Sequence, residues 1–457
     1  MNKPKFAISD IIESNRTGGF QNFIMLLCAL VIVFDGFDVL AIAFAAPALS
    51  AELGIPKSQL GFVFSGGLVG MMIGALVLGP VGDKYGRRWA VILSVLVFGL
   101  FTLLTAYAKT YNELVLLRFL TGLGLGGAMP NATALMTEYV SDKARNVAVA
   151  VIFLGMPIGG IAGGLLAAEI IPAYGWPSIF FLGGCMPLLL VPVLFFCLPE
   201  SPRFLVTQVK DNDNLLRKIA RKIERKKSIP DDAVFIHHAD PEKHFPVKAL
   251  FMHGQARDTL LIWTVFFFNL MVVYFLYSWI PTLLVNSGYA LAQASQTLVV
   301  LNVGGALSPF IFAWMIRRWG SRPVLSSCFL LGALSMMILG QVSSSSLTLV
   351  MTMAFFSGFF IVGGQISINA FSSYLYPTTI RSTGVGWANG IGRAGSIVGP
   401  ILAGALITMA LGLNVYFVVF GAICLLTATA MMFIKNHELP AEAELDGVPE
   451  ADNPHRK

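Results

Sequence analysis

Asp35 and Asp38 stand one helical turn apart inside an otherwise apolar stretch, 22–46. That spacing puts both carboxylates on one face of a helix. Held close together and away from bulk water, they cannot both ionise cheaply, because desolvation and mutual repulsion each oppose the second charge. A pair of this kind can take a proton on one side of a barrier and give it up on the other. Arg118 and Arg393 are two further permanent charges within apolar stretches. A guanidinium stays charged and offers a planar fork that suits a carboxylate. Two roles are open for each: a partner for the aspartates, or an anchor for an anionic substrate. A purely structural ion pair is the plain alternative. All six histidines (His237, His238, His244, His253, His437, His455) fall in hydrophilic segments, which leaves the carboxylates to carry protons inside apolar surroundings.

The elements that must position these charges follow from hydropathy. Of 457 residues, 56% are hydrophobic and 12% charged, whereas soluble domains carry roughly a quarter charged residues. Reading for stretches of about twenty apolar residues, the length that crosses a bilayer as helix, predicts twelve spans. They lie near 22–46, 60–82, 89–108, 113–137, 146–169 and 177–198, then 259–285, 294–316, 323–341, 346–372, 384–408 and 412–434. The expected organisation is a first six-helix half (1–198), a central loop (199–257), a second half (258–436) and a tail (437–457). The first span is long and preceded by a polar stretch, so it reads as a retained helix rather than a cleaved signal.

Lys and Arg cluster at one end of the spans, among them Arg87, Arg88, Arg145 and Arg381, while the other end has only Lys57 and Lys109. The positive-inside rule then places both termini on the cytoplasmic side. The net charge of +6 is read as loops facing anionic lipid, not as a nucleic-acid surface. Within the central loop, Asn212 to Lys227 reads as a basic helix with apolar residues at Leu215, Leu216, Ile219 and Ile223, a solvated or interfacial linker rather than a dedicated regulatory site. Five cysteines lie in apolar segments without metal or redox spacing and read as core fillers. No nucleophile–base pair, metal cluster or nucleotide-binding loop is apparent, so an enzyme is not expected and no cofactor is implied.

The halves repeat one another. Gly79 to Arg88 returns at Ala313 to Arg322 with an offset of 234 residues, and Glu138 to Arg145 returns at Tyr374 to Arg381 with an offset of 236. Such duplication puts a substrate site between the halves, near the bilayer midplane. Arg118 and Arg393 have no basic counterpart under the 236 offset, which maps them to Ala354 and Pro157. Gly155, Gly159 and Gly163 form a small-residue face, partly repeated at Gly395 and Gly399, read as packing for a moving interface.

The loop Gly79-x-x-x-Asp83-Lys-Tyr-Gly86-Arg87-Arg88 resembles the signature of the major facilitator superfamily. Asp35-Gly-Phe-Asp38, the stretch from Arg118 to Asn131, Pro199-Glu-Ser-Pro-Arg-Phe-Leu205 and Gly392-Arg-Ala-Gly395 resemble one branch, the aromatic acid:proton symporters. The second loop departs from the pattern, with Arg317 where an aspartate is usual and Ala313 for a glycine. The resemblance implies an all-α membrane fold and import of a benzoate-like or hydroxybenzoate-like carboxylate with a proton. On that footing Asp35, Asp38 and Arg118 are the expected proton-coupling residues, and Arg393 the expected carboxylate anchor. Asn131, Asn302, Gln365 and Asn389 are polar residues at membrane depth and candidate substrate contacts, although such amides often serve only as interhelical glue. Asn269 and Asn369 share that depth. Tyr277 and Trp279 could stack on an aromatic ring, or could face lipid. Asp83, Arg87, Arg88, Glu138, Arg145 and Arg381 are expected to latch the cytoplasmic mouth by ion pairs that break as the halves rock; ordinary loop solubility would also place charges there. A monomer is expected, with the bilayer, protons and a small aromatic carboxylate as partners. The alternative within transport is an exporter or antiporter. A sensor or receptor would need an appended signalling domain, for which the termini leave no room.

Overall fold

In lipid a backbone can satisfy its hydrogen bonds only within itself, so each long apolar stretch must wind into helix. The computed structural model describes residues 5–15, 17–208, 213–224, 234–236, 247–252, 255–342, 346–377, 380–409 and 411–434. The six histidines and the tail 437–457 fall outside the described residues. Among the described residues, twelve helices are long and apolar enough to cross a membrane. Numbered in order, the first six are Gly19–Glu52, Lys57–Tyr85, Arg87–Thr105, Tyr111–Thr137, Asp142–Tyr174 and Pro177–Cys197. The last six are Ala256–Asn286, Leu291–Trp319, Ser321–Val342, Leu347–Leu375, Arg381–Thr408 and Leu413–Phe433. Every predicted span has its helix. Most helices overrun the apolar windows at their ends, because polar residues there continue the turn beyond hydrocarbon depth.

The duplication is visible in the packing. Span one packs on span five as span seven does on span eleven; two on four as eight on ten; three on six as nine on twelve. The second helix of each half stops at an equivalent glycine, Gly86 with φ 107° and Gly320 with φ 82°. Side chains rarely adopt that backbone region, which explains why both loops keep a glycine there. Span ten is not regular throughout: Gly358–Val362 winds as a π-helical turn.

The glycine face was expected at a moving interface, and the structure corrects this. A Cβ on Gly159 would strike Val33 O of span one, and one on Gly395 would strike Phe267 O of span seven, so these glycines pack inside their own halves. Two other glycines of span five, Gly160 and Gly164, face the other half, set against Asn302 and Val299 of span eight.

The halves meet at the end of the bundle that carries Lys57 and part toward the end that carries Arg87. At the Lys57 end, a Cβ on Gly61 would lie 2.5 Å from Pro400 O, and one on Gly404 would lie 2.7 Å from Ser58 O. Ser65 donates to Ile397 O at 2.7 Å, and Lys57 Nζ donates to Asn286 Oδ1 at 2.7 Å. Followed down span two, the stripe through Ser58, Gly61 and Ser65 arrives at Leu76, which is 72% exposed. Down span eleven, the matching stripe arrives at Gly390 and Gly386, where a Cβ would meet nothing within 4 Å.

At the Arg87 end a short segment before span one folds under the first half. Ile8–Ser14 is helical, with Ile8, Ile11 and Ile12 buried, and it packs on the linker helix Asp213–Ile223. That helix buries Leu216, Ile219 and Ile223 in protein rather than in lipid, while Leu215 stays exposed. Its apolar side is therefore occupied, which corrects the interfacial alternative.

Candidate functional site

Span one turns Asp35 and Asp38 into the interior, 3% and 1% exposed. Arg118, from span four, is 3% exposed, and its Nη1 reaches both Asp38 oxygens at 3.3 and 3.4 Å. Three threonines complete this knot. Thr102 of span three donates to Asp38 Oδ1 at 2.5 Å. Arg118 Nη2 donates to Thr105 Oγ1 at 2.7 Å and to Thr121 Oγ1 at 3.0 Å. The guanidinium carbon also sits 5.0 Å from the centre of the Phe180 ring, from span six. Four helices of one half thus hold a single ion pair, which is what a charge withdrawn from water requires.

Asp35 differs from its neighbour: its Oδ1 has no hydrogen-bond partner among the described residues. Two charges act on it, Arg393 from span eleven of the other half and then Asp38. Arg393 is half-buried and donates to the Tyr274 hydroxyl at 3.3 Å. Tyr274 and Tyr277 stand edge to face at 6.0 Å, both largely buried. These residues gather two carboxylates and two guanidiniums across the interface between the halves. Their formal charges sum to zero.

The other predicted substrate contacts separate. Gln365 accepts from Asn269 Nδ2 at 2.8 Å, and the same amide reaches Ile361 O in the π-helical turn at 3.3 Å. Asn269 Oδ1 is buried with no hydrogen-bond partner among the described residues. Asn302 faces Gly160 across the halves and donates to Leu298 O of its own helix. Asn389 likewise bonds back to its own helix, at Val385 O. Trp279 is fully buried at the Lys57 end, with Nε1 donating to Pro400 O at 3.2 Å and its ring edge-on to Phe64 at 5.4 Å. Asn131 is not beside the charge quartet. It donates to Leu78 O and Gly127 O and accepts from Arg87, at the far end of span four.

Four of the predicted latch residues, Asp83, Arg87, Arg88 and Glu138, gather within the first half and against the segment after span six. Asp83 pairs with Arg87. Arg88 donates its backbone N–H to Glu200 Oε1 at 3.0 Å and its guanidinium to Phe195 O. Ser201 donates to Glu138, and the Tyr139 hydroxyl donates to Glu200 O at 2.6 Å. Burial pushes the Glu138 and Glu200 carboxyls above the usual carboxylate range, against the pull of Ser201 and Arg87 on the first and of the Arg88 backbone on the second. Arg145 pairs with Asp142, three residues before it, rather than with Glu138. Arg381 stands exposed at the start of span eleven.

Sequence reasoning missed Thr102, Thr105 and Thr121. Threonine is ordinary in spans, yet Thr102 and Thr105 sit one turn apart, as the aspartates do, which is the available signal.

The Major Facilitator Superfamily pattern matches residues 26–311 and 288–454. The chain is 38% identical to the 4-hydroxybenzoate transporter PcaK of Acinetobacter baylyi over 93% of this chain and 93% of that one. It is 35% identical to a gallate transporter of Pseudomonas putida over 93% and 94%. Among solved structures, a D-xylose-proton symporter superposes with a TM-score of 0.72 at 18% identity, over 91% of this chain and 98% of that one, a likeness of fold. The chain is a multi-pass membrane transporter rather than an enzyme: it belongs to the Major Facilitator Superfamily, and relatives that span most of its length are aromatic-acid transporters.

Proposed function

We propose that this protein imports a small aromatic carboxylate together with a proton by alternating access, with both termini in the cytoplasm. The observation that carries the reading is the balanced quartet of Asp35, Asp38, Arg118 and Arg393. A net charge at membrane depth costs several kcal/mol. An anionic substrate arriving at Arg393 leaves the site one negative charge in excess, and one proton on an aspartate restores balance. Binding of the acid and binding of the proton therefore favour one another, which is the thermodynamic requirement for symport. The cargo names of the relatives supply the class of acid, and the largely buried Tyr274 and Tyr277 beside Arg393 offer faces for its ring. Positive-inside orientation makes the Arg87 end cytoplasmic, so the halves are closed outward and parted inward.

The test is uptake of labelled benzoate-type acids into vesicles containing the purified protein, with and without an inward proton gradient. Concentrative uptake that follows the pH gradient and ignores an imposed membrane potential is expected for one proton per monoanion. Flux that is indifferent to the gradient would sink the reading. Asp35→Asn and Asp38→Asn in the same vesicles assign the proton carrier, and if both variants still concentrate the acid, the quartet is not the coupling site.

A further inference from the structure

A cavity of about 30 Å³ lies among spans one, two and four, beside Asp38 and Arg118. A water needs on the order of 10–15 Å³ measured in this way, together with polar partners, so the space suits about two waters. Its polar lining is Asp38, Arg118 and Thr121; the rest is apolar side chain and glycine. Arg118 Nε is buried and has no acceptor among the described residues, a donor that a water beside it would satisfy. Span two enters from the Lys57 end, so Val63 and Phe64 close that end of the cavity while Met71 lies deeper. Phe64 is 4% exposed, and its ring rests edge-on against Trp279, which belongs to the opposite half and is itself tied to Pro400 O.

We infer that this cavity is a water-holding chamber through which Asp38 exchanges its proton with the Lys57 end, and that Phe64 is its stopper, held by Trp279. The inference rests on the proton-coupled reading above and adds the route. Parting of the halves at the Lys57 end withdraws Trp279 from Phe64 and frees the ring to swing off the chamber. Closure reseats it. Proton access is thereby tied to the same movement that admits the acid, without the two sharing a path. The charged and titratable groups around Asp38 are Arg118 from span four and Asp35 from its own helix, with Arg393 beyond on span eleven; span two brings none to the chamber.

Two substitutions test this in reconstituted vesicles, with a pH-sensitive dye inside and labelled acid outside. Phe64→Ala removes the stopper: proton entry down an imposed gradient without substrate rises several-fold over the parent, and the concentration ratio reached by the acid falls. Exchange of labelled for unlabelled acid, which needs no proton gradient, continues near the parental rate and reports a folded protein. Gly67→Ala adds a methyl to the chamber wall, in ordinary contact distance of Arg118 O at 3.5 Å. It slows gradient-driven uptake several-fold while sparing exchange. A coupled parent with a proton-tight, fully concentrating Phe64→Ala variant overturns the stopper alone, and unchanged gradient-driven uptake in Gly67→Ala overturns the chamber. A parent that moves the acid without protons sinks the functional reading itself.

Discussion

The two halves share one scaffold and use it for opposite ends. In the first, Arg118 is buried, paired with Asp38 and bonded to two threonines, so its charge is answered before any ligand arrives. In the second, Arg393 is half-buried and its guanidinium donates to a neutral phenol, that of Tyr274, at 3.3 Å. A duplicated unit would have carried the same groups twice; instead the 236 offset sets Ala354 opposite Arg118 and Pro157 opposite Arg393. The difference separates internal balance from recognition. One half holds a charge pair answered within itself, and the other presents a charge that, on the proposed function, the substrate carboxylate completes.

The contrast yields graded expectations. The largest concerns Arg118→Leu, which leaves a buried carboxylate uncompensated: it should cost about 3–5 kcal/mol of stability, read by thermal unfolding in detergent, and should abolish gradient-driven uptake. Adding Asp38→Asn to it removes the orphaned charge and should restore most of the stability but no transport. If Arg118→Leu were as stable as the parent, the knot would not be an answered pair. Arg393→Leu should behave otherwise, changing stability little while raising the half-saturation concentration for the acid. Loss of a charge-assisted hydrogen bond worth about 1.5–3 kcal/mol predicts a rise of roughly ten- to a hundredfold. A large stability loss with unaltered half-saturation would reverse the roles of the halves. The smallest effect belongs to the carboxyl cluster at the Arg87 end. Burial makes Glu138 and Glu200 hold protons more tightly folded than unfolded. Their contribution to stability is then present in acid and lost as pH rises past the usual carboxylate range. Glu138→Gln should flatten that decline in the unfolding temperature; a steeper decline in the variant would refute the sign.

Sequence legibility followed the physics of each feature. Spans were readable because burial in lipid forces composition, and their pairing was readable in outline because loops repeat at a near-constant offset. Helix ends were not: span one runs Gly19–Glu52 where the apolar window suggested 22–46, since helix continues where hydropathy no longer demands it. Charges in apolar surroundings announced themselves by their cost, whereas the threonines around them did not. Asn131 reads as a residue at membrane depth from its apolar stretch, and only the fold sets it beside Arg87 at the bundle's end. The buried face of Ile8, Ile11 and Ile12 had helical spacing all along, but no partner was visible until the linker helix, some two hundred residues later, was seen against it.

The contact at the Lys57 end has a consequence for descent. Gly61 lies against Pro400 O and Gly404 against Ser58 O, so main chain lies close to main chain there, and the side chains that join across it, Lys57 with Asn286, Ser65 with Ile397 O and Phe64 with Trp279, stand apart from Arg393. Such a seal is indifferent to cargo. If Arg393 and Tyr274 hold the acid as proposed, substitutions around them retune what is carried while leaving the door's edges untouched. A lineage built this way can change its diet without relearning how to close its mouth.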